Sequence, residues 1–317
     1  APDVVASESA PLLSVPTLLS RKRATETFQS GFHEKSFLAA FREAGFRSWW
    51  LSNQIASGRF DTPVSVFAHQ ADVVQFMNLG GWSEVSSFDG ILTAPLQRAL
   101  ADPAPRKLII LHTLGNHWNY GRRYPAAFDK WQPSLSALGS VDHDDPRLKL
   151  RMNNSYDNSV LYADWFLAQV IAALKASGQP SALLYVSDHG ENLRDGSCKF
   201  VVHGHNTQYD YHIPLLAWYS DRYAAAYPDK VASLRRQISQ KLSTENVFDT
   251  VVDLADIRFP GQQLQWSLAS PAFRPHTRYV DSYGFADYDR STFKGTCREV
   301  IAKGPTLRRG TGPIPRG

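Results

Sequence analysis

Two short apolar runs, each emptying into residues that carry chemistry, constrain this chain more than any other feature. Lys107–His112 (KLIILH) ends in a histidine and leads to His117, and residues 181–187 (SALLYVS) lead straight into Asp188-His189-Gly190-Glu191. Apolar runs of this length, bounded by turn signals, read as buried strands. Between them residues 153–176 carry an apolar stripe at helical spacing through Leu161, Trp165, Ala168, Ile171 and Leu174. The theme recurs along the chain: helical patterns at 34–46 (Phe37, Leu38, Phe41, Phe46), 92–100, 231–242 and, behind a Ser243-Thr244 cap, 245–255, with strands at 48–51, 213–219 and 278–282. Strands alternating with helices predict an α/β fold with a mostly parallel central sheet flanked by helices on both faces. The organisation expected is a catalytic domain over 1–260, then a C-terminal extension over 261–317 with a strand or two and a flexible basic tail.

Composition narrows the function classes. The 317 residues are 43% hydrophobic and 20% charged, which describes an ordinary globular protein. A net charge of +4 suits an anionic ligand but falls short of the basic footprint of a nucleic-acid binder. The longest purely apolar runs are strand-length, well under the roughly 20 residues of a membrane span. The start, APDVVASES, has no basic stretch followed by an apolar one, so the reading is a cytosolic protein or one whose targeting part has been cut away. Two cysteines, Cys198 and Cys297, build neither a disulfide scaffold nor a cysteine zinc cluster; on spacing alone one bridge and two free thiols are equally compatible.

In an open α/β sheet ligands bind beyond the carboxyl ends of the strands, where both reactive runs end. Seven of the ten histidines lie between positions 112 and 212, and His203-Gly204-His205 follows 14 residues after His189. Histidine and aspartate at strand ends are the N and O donors that zinc accepts. His112 alone reads as a satisfied core residue; the group together reads as a metal site. Glu191 is either a ligand, a general base or a partner of its own turn's backbone, the last being favoured.

The segments HTLGNHWNYGRRYP, NNSYDNSVLYADWFLAQVI, LLYVSDHGENL and HGHNTQYDYHIPLLAWY, collinear within residues 4–256, resemble the soluble catalytic domain of the phosphoethanolamine transferases of the alkaline phosphatase and sulfatase superfamily. WLSNQ followed by FDTPVSVFA is similar to the branch acting on the lipopolysaccharide core. The resemblance implies zinc held by Asp188 and His189, with His117 and His203 holding the phosphoryl group or a second metal. It implies a threonine nucleophile at a helix start before a Ser-x-Pro segment, here Ser14-Val15-Pro16. Ungapped alignment puts Pro11 there, which has no nucleophilic oxygen; Ser9 is the nearest substitute on a shifted alignment, with Ser7 and Ser14 behind it. A further zinc-ligating glutamate is expected upstream of residue 1, together with membrane helices, and Glu8 is read as coincidence.

The same resemblance implies transfer of phosphoethanolamine from phosphatidylethanolamine to a lipopolysaccharide acceptor, core or lipid A, through a phosphoenzyme intermediate. It places the domain on the periplasmic face of the inner membrane, an oxidising setting that favours a Cys198–Cys297 bridge. Alternatives on the same frame are a sulfatase, disfavoured because no cysteine lies near the N-terminus, a phosphoglycerol transferase, and an envelope-binding domain that has lost its nucleophile.

Overall fold

The computed structural model describes residues 1–25, 35–58, 62–80, 87–282 and 284–301; the tail after Ile301 and the first residue of the helix expected at 34–46 lie outside them. The chain enters on β1 (Val4–Val5) and turns into α1 (Pro11–Leu19), whose first helical residue is a proline, where a missing N–H is harmless. Then come α2 (Phe37–Glu43), β2 (Arg47–Ser52), α3 (Thr62–Ala68) and β3 (Val73–Phe76). α4 (Thr93–Ala101) precedes β4 (Lys107–His112), and α5 (Lys149–Ala176) crosses to β5 (Ala182–Val186). β6 (Asn192–Leu193) and β7 (Val201–Val202) pair as a small hairpin, and α6 (Gln208–Tyr211) leads into β8 (His212–Ile213) and β9 (Leu215–Tyr219). After α7 (Asp221–Ala226), α8 (Pro228–Gln237), β10 (Leu242–Ser243) and α9 (Val247–Leu254) come two hairpins, β11 (Tyr279–Asp281) with β12 (Phe285–Asp287) and β13 (Thr292–Lys294) with β14 (Glu299–Ile301).

β3, β2 and β4 form a parallel sheet in that order. Because side chains alternate along a strand, Trp50 enters one apolar layer with Phe37, Phe41 and Val252, while Trp49 and Leu51 enter the other with Leu96, Phe166 and Val170. Burial on both faces is why β2 reads WWL without polar interruption. The architecture is thus an α/β fold with helices on both faces of the sheet.

Four local expectations need correction. β5 and β9 pair antiparallel, Val186 against Leu215, because the chain between them returns through the β6–β7 hairpin and the short α6 instead of a long crossover helix. The run 213–219 breaks at Pro214, so Ile213 pairs with Val4 of β1 while Leu215 opens β9. The helix expected over 231–242 ends at Gln237, and Leu242 joins β10 alongside Val4. The buried face of α5 runs through Tyr162, Phe166 and Val170, not through the Leu161–Trp165–Ala168 stripe; a helix apolar on several sides does not reveal in sequence which side meets the sheet. Among the described residues one helix, 146–176, is long and apolar enough to cross a membrane by length and composition alone.

The extension folds back onto the chain's start. Val280, Ala286 and Val300 share a buried cluster with Val5 and Tyr211. The buried Arg278 guanidinium pairs with Asp3 at 2.6 Å and Asp289 at 2.7 Å. Cys198 is bonded to Cys297, closing a loop with a sequence separation of 99. Intact mass is therefore expected to stay unchanged on alkylation without reductant, and Cys297→Ala is expected to lower unfolding free energy by about 2–4 kcal/mol, read from urea denaturation.

Candidate active site

The ends of β4 and β5 are set by buried polar groups. Asp89 accepts from the Asn53 side-chain amide at 2.8 Å and from the Leu114 and Gly115 N–H groups at 2.8 and 2.9 Å. Those bonds fix the turn that delivers His117, whose carbonyl accepts from Arg123 Nε at 3.0 Å. Beyond β5, the Gly190 N–H donates to the Asp210 carbonyl at 2.7 Å. A Cβ at Gly190 would stand 2.0 Å from the Tyr209 carbonyl oxygen, so glycine is required here for close backbone approach.

Asp210 organises the second loop. Its carboxylate accepts from the His205 and Thr207 N–H groups at 3.1 and 2.9 Å and from Asn192 at 2.8 Å, while Thr207 Oγ1 donates to Asn192 Oδ1 at 2.6 Å. The extension clamps the same loop: Val300 N–H donates to the Asn206 carbonyl, and Gln208 N–H to the Arg298 carbonyl.

These supports bring His189, Glu191 and His203 together, with one donor atom from each lying within 4.8 Å of the others. The rings of His189 and His203 are 4.1 Å apart between centroids, and His117 stands 5.7 Å from His203. The Nδ1 atoms are engaged: His189 with the Gly190 carbonyl at 2.8 Å, His203 with Glu191 Oε1 at 3.1 Å, His117 with the Trp118 carbonyl. Such bonds fix ring orientation. Glu191 does not bond its own turn as expected; its other oxygen accepts from the Tyr120 hydroxyl at 2.9 Å. Tyr120 carried no sequence signal for this role. Two imidazoles and a carboxylate form a set that a zinc ion accepts with a position left open.

Burial drives His117 below the ordinary histidine range, whereas for His203 the hydrogen bond and charge of Glu191 outweigh burial and raise it. His112, beside Ser52 Oγ at 3.1 Å, is pushed down to about 4 by burial and stays neutral. His205 stacks on Phe200 and bonds the Val201 carbonyl, outside the cluster.

Asp188 stands 3.6 Å from His189 Nε2. Asp188, His189, Glu191, His203 and His117 all line one cavity of about 2340 Å³, whose wall at the start of α1 is Ala10 and Pro11. Ser9 is not among the lining residues: its hydroxyl donates to Asn206 Oδ1 at 2.8 Å. Ser7 bonds Thr244, and Ser14 Oγ is buried without a hydrogen-bond partner. Glu8 is buried, 3.6 Å from Lys22 Nζ, and away from the cavity.

The fold and the cluster define an α/β protein with a set of His and Glu donors beyond its strand ends that could hold a metal ion. The chain belongs to the sulfatase family, whose profile matches residues 5–257. It is 32% identical over 267 residues to phosphoethanolamine transferase EptC of Escherichia coli (strain K12), a match covering 81% of this chain and 44% of that protein. Phosphoethanolamine transferase CptA of Salmonella typhimurium is 32% identical over 265 residues, covering 80% and 44%. The chain therefore spans less than half the length of these relatives. The crystal structure of the C-terminal periplasmic domain of E. coli EptC in complex with Zn superposes with a TM-score of 0.79 at 29% identity, covering 91% of this chain and 81% of that one. The soluble domain of lipooligosaccharide phosphoethanolamine transferase A from Neisseria meningitidis shares the fold, with a TM-score of 0.73 at 24% identity over 86% of this chain and 82% of that one.

Glu191→Gln is expected to weaken zinc binding roughly 10–100-fold in titration calorimetry. Burial also pushes Glu8 up to about 7 against an ordinary 4.5. The folded state then holds this proton more tightly than the unfolded chain, so its contribution to stability is present below pH 4.5 and is lost as pH rises to about 7. The difference in unfolding free energy between the wild type and Glu8→Gln is expected to fall by about 3 kcal/mol across that window, measured by denaturation at several pH values.

Proposed function

We propose that this chain is the catalytic domain of a zinc-dependent phosphoethanolamine transferase at the periplasmic face of the inner membrane, taking the group from phosphatidylethanolamine and passing it to a lipopolysaccharide acceptor. The observation that carries the reading is the His189–Glu191–His203 donor set with His117 beside it, in a chain similar along most of its length to a transferase domain crystallised with Zn. Asp188, His189, Glu191 and His203 are the residues proposed to hold the metal, which when bound supplies Lewis-acid stabilisation of phosphoryl charge and a lowered hydroxyl pKa.

The chain's own part is positioning. His117, whose pKa burial lowers and whose Nδ1–H donates to the Trp118 carbonyl, presents Nε2 as an acceptor for a proton on the reacting group, and the Asp89-bound turn keeps that ring in place. The Ser9 hydroxyl is the proposed nucleophile: its oxygen bonds to phosphorus as the diacylglycerol oxygen leaves with a proton, and an acceptor hydroxyl or phosphate oxygen then displaces serine. For this Ser9 must turn from Asn206 toward the cavity.

One observation favours a second reading, a metal-retaining envelope-binding domain without transfer activity: Pro11, not a hydroxyl, lines the cavity at the helix start. The assay that separates the two supplies phosphatidylethanolamine labelled in its ethanolamine, with the chain loaded with zinc, and follows labelled protein and released diacylglycerol. Label on the wild type that is absent in Ser9→Ala and lost in His189→Ala supports transfer. Stoichiometric zinc with no label and no diacylglycerol supports the binding domain.

A further inference from the structure

A side-chain hydrogen bond joins the two reactive loops. Tyr120 follows His117 in the loop beyond β4, and its hydroxyl donates to Oε2 of Glu191, in the loop beyond β5, at 2.9 Å. The other carboxylate oxygen, Oε1, meets His203 Nδ1 at 3.1 Å. A carboxylate oxygen only accepts, so in that contact Nδ1 carries the hydrogen. Tyr120, Glu191 and His203 thus form a chain that begins outside the cavity, since Tyr120 is not among its lining residues, and ends in the donor set.

Tyr120 is built as a fixed point. Its side chain is fully buried, and its ring meets those of Trp118 and Tyr156 edge to face, with 5.2 Å between centroids in each pair. Leu135, Met152 and Val201 complete the apolar cluster around it. The turn that carries it is pinned as well: Asn119 Oδ1 accepts from the Gly121 N–H at 3.1 Å, and the Tyr120 carbonyl accepts from the Arg123 N–H at 3.0 Å. A Cβ at Gly121 would stand 2.8 Å from Leu135 Cβ, so only glycine lets this turn lie so close to residue 135. Phenylalanine would fill the same space as Tyr120, and what the hydroxyl adds is the bond to Glu191.

Glu191 needs such a bond. Its side chain has several rotatable bonds and a competing choice of partner, the backbone of its own turn. With Oε2 taken by a hydroxyl that cannot move, the carboxylate is left in the one rotamer that turns Oε1 to His203.

We infer that Tyr120 is a positioning residue for the metal: its hydroxyl fixes Glu191 so that the His189–Glu191–His203 donors converge, and it thereby sets their affinity for zinc. The inference rests on the reading that this donor set holds zinc. Tyr120 touches neither metal nor phosphoryl group and acts through Glu191. The turn it anchors also carries Arg123, whose Nε holds the His117 carbonyl, so the same residue ties the placement of His117 to the loop that holds the metal.

The test is zinc affinity, measured by competition with a chromophoric chelator. Tyr120→Phe keeps the ring and loses only the hydroxyl; it is expected to bind zinc roughly 10-fold more weakly and to shift the visible absorption of cobalt bound in zinc's place. Met152→Leu alters the same apolar cluster, leaves the hydroxyl where it is, and is expected to bind zinc as the wild type does. In a Glu191→Ala background Tyr120→Phe is expected to add nothing, because its effect passes through that carboxylate. Wild-type affinity in Tyr120→Phe overturns the inference and leaves the zinc reading standing. An equal loss in Met152→Leu overturns it by making the effect one of packing, and a full further loss on top of Glu191→Ala overturns it by routing the effect elsewhere. A wild type that binds no zinc overturns the reading of the donor set and this inference with it.

Discussion

The close contact between the turn after β5 and the chain entering β8 is the constraint on which the site depends. Gly190 N–H reaches the Asp210 carbonyl, and the space a side chain would need is filled by the Tyr209 and His212 carbonyls. Without that approach Glu191 would not meet His203, and the donor set would be two separate loops. Asp210 holds the other side of the contact, its charge desolvated and its pKa raised by burial, yet satisfied by backbone N–H groups and Asn192. A buried carboxylate is tolerable only when its oxygens are so occupied, which ties the loop's shape to that one residue.

Around this contact the site is built for orientation more than for charge. Each of the three cluster histidines spends Nδ1 on a carbonyl or carboxylate, which fixes the orientation of its ring. The histidines differ in what burial does to them: His112 and His117 are pushed toward neutrality, whereas Glu191 opposes that push at His203. Arg123 is buried and bonds the His117 carbonyl. Its role here is to hold a loop.

The extension is part of the same construction. Through Cys297, Arg298 and Val300 it grips the segment carrying His203 and Asn206, and through Arg278 it grips Asp3.

Most of the strands and helices were legible because apolar period and turn residues are local properties: KLIILH is a strand to the residue, and 48–51 and 92–100 fall within one residue of observed strand and helix bounds. The strand ends drew attention to the stretches holding His117 and Asp188-His189, since α/β topology concentrates ligands there. What the chain alone could not say depends on contacts between residues far apart in number. The antiparallel return of β9 follows from how the 188–212 loop packs, and the face of α5 that meets the sheet follows from which apolar side finds Trp49 and Leu51. Glu191 joins Tyr120 and His203 instead of its own turn, and Ser9 faces Asn206 instead of the cavity, because side-chain hydrogen bonds are decided by neighbours 12 to 197 residues away. Sequence determined which residues stand at strand ends; only tertiary packing decided which of their atoms meet, since local propensity carries no information about a partner that folding brings from elsewhere in the chain.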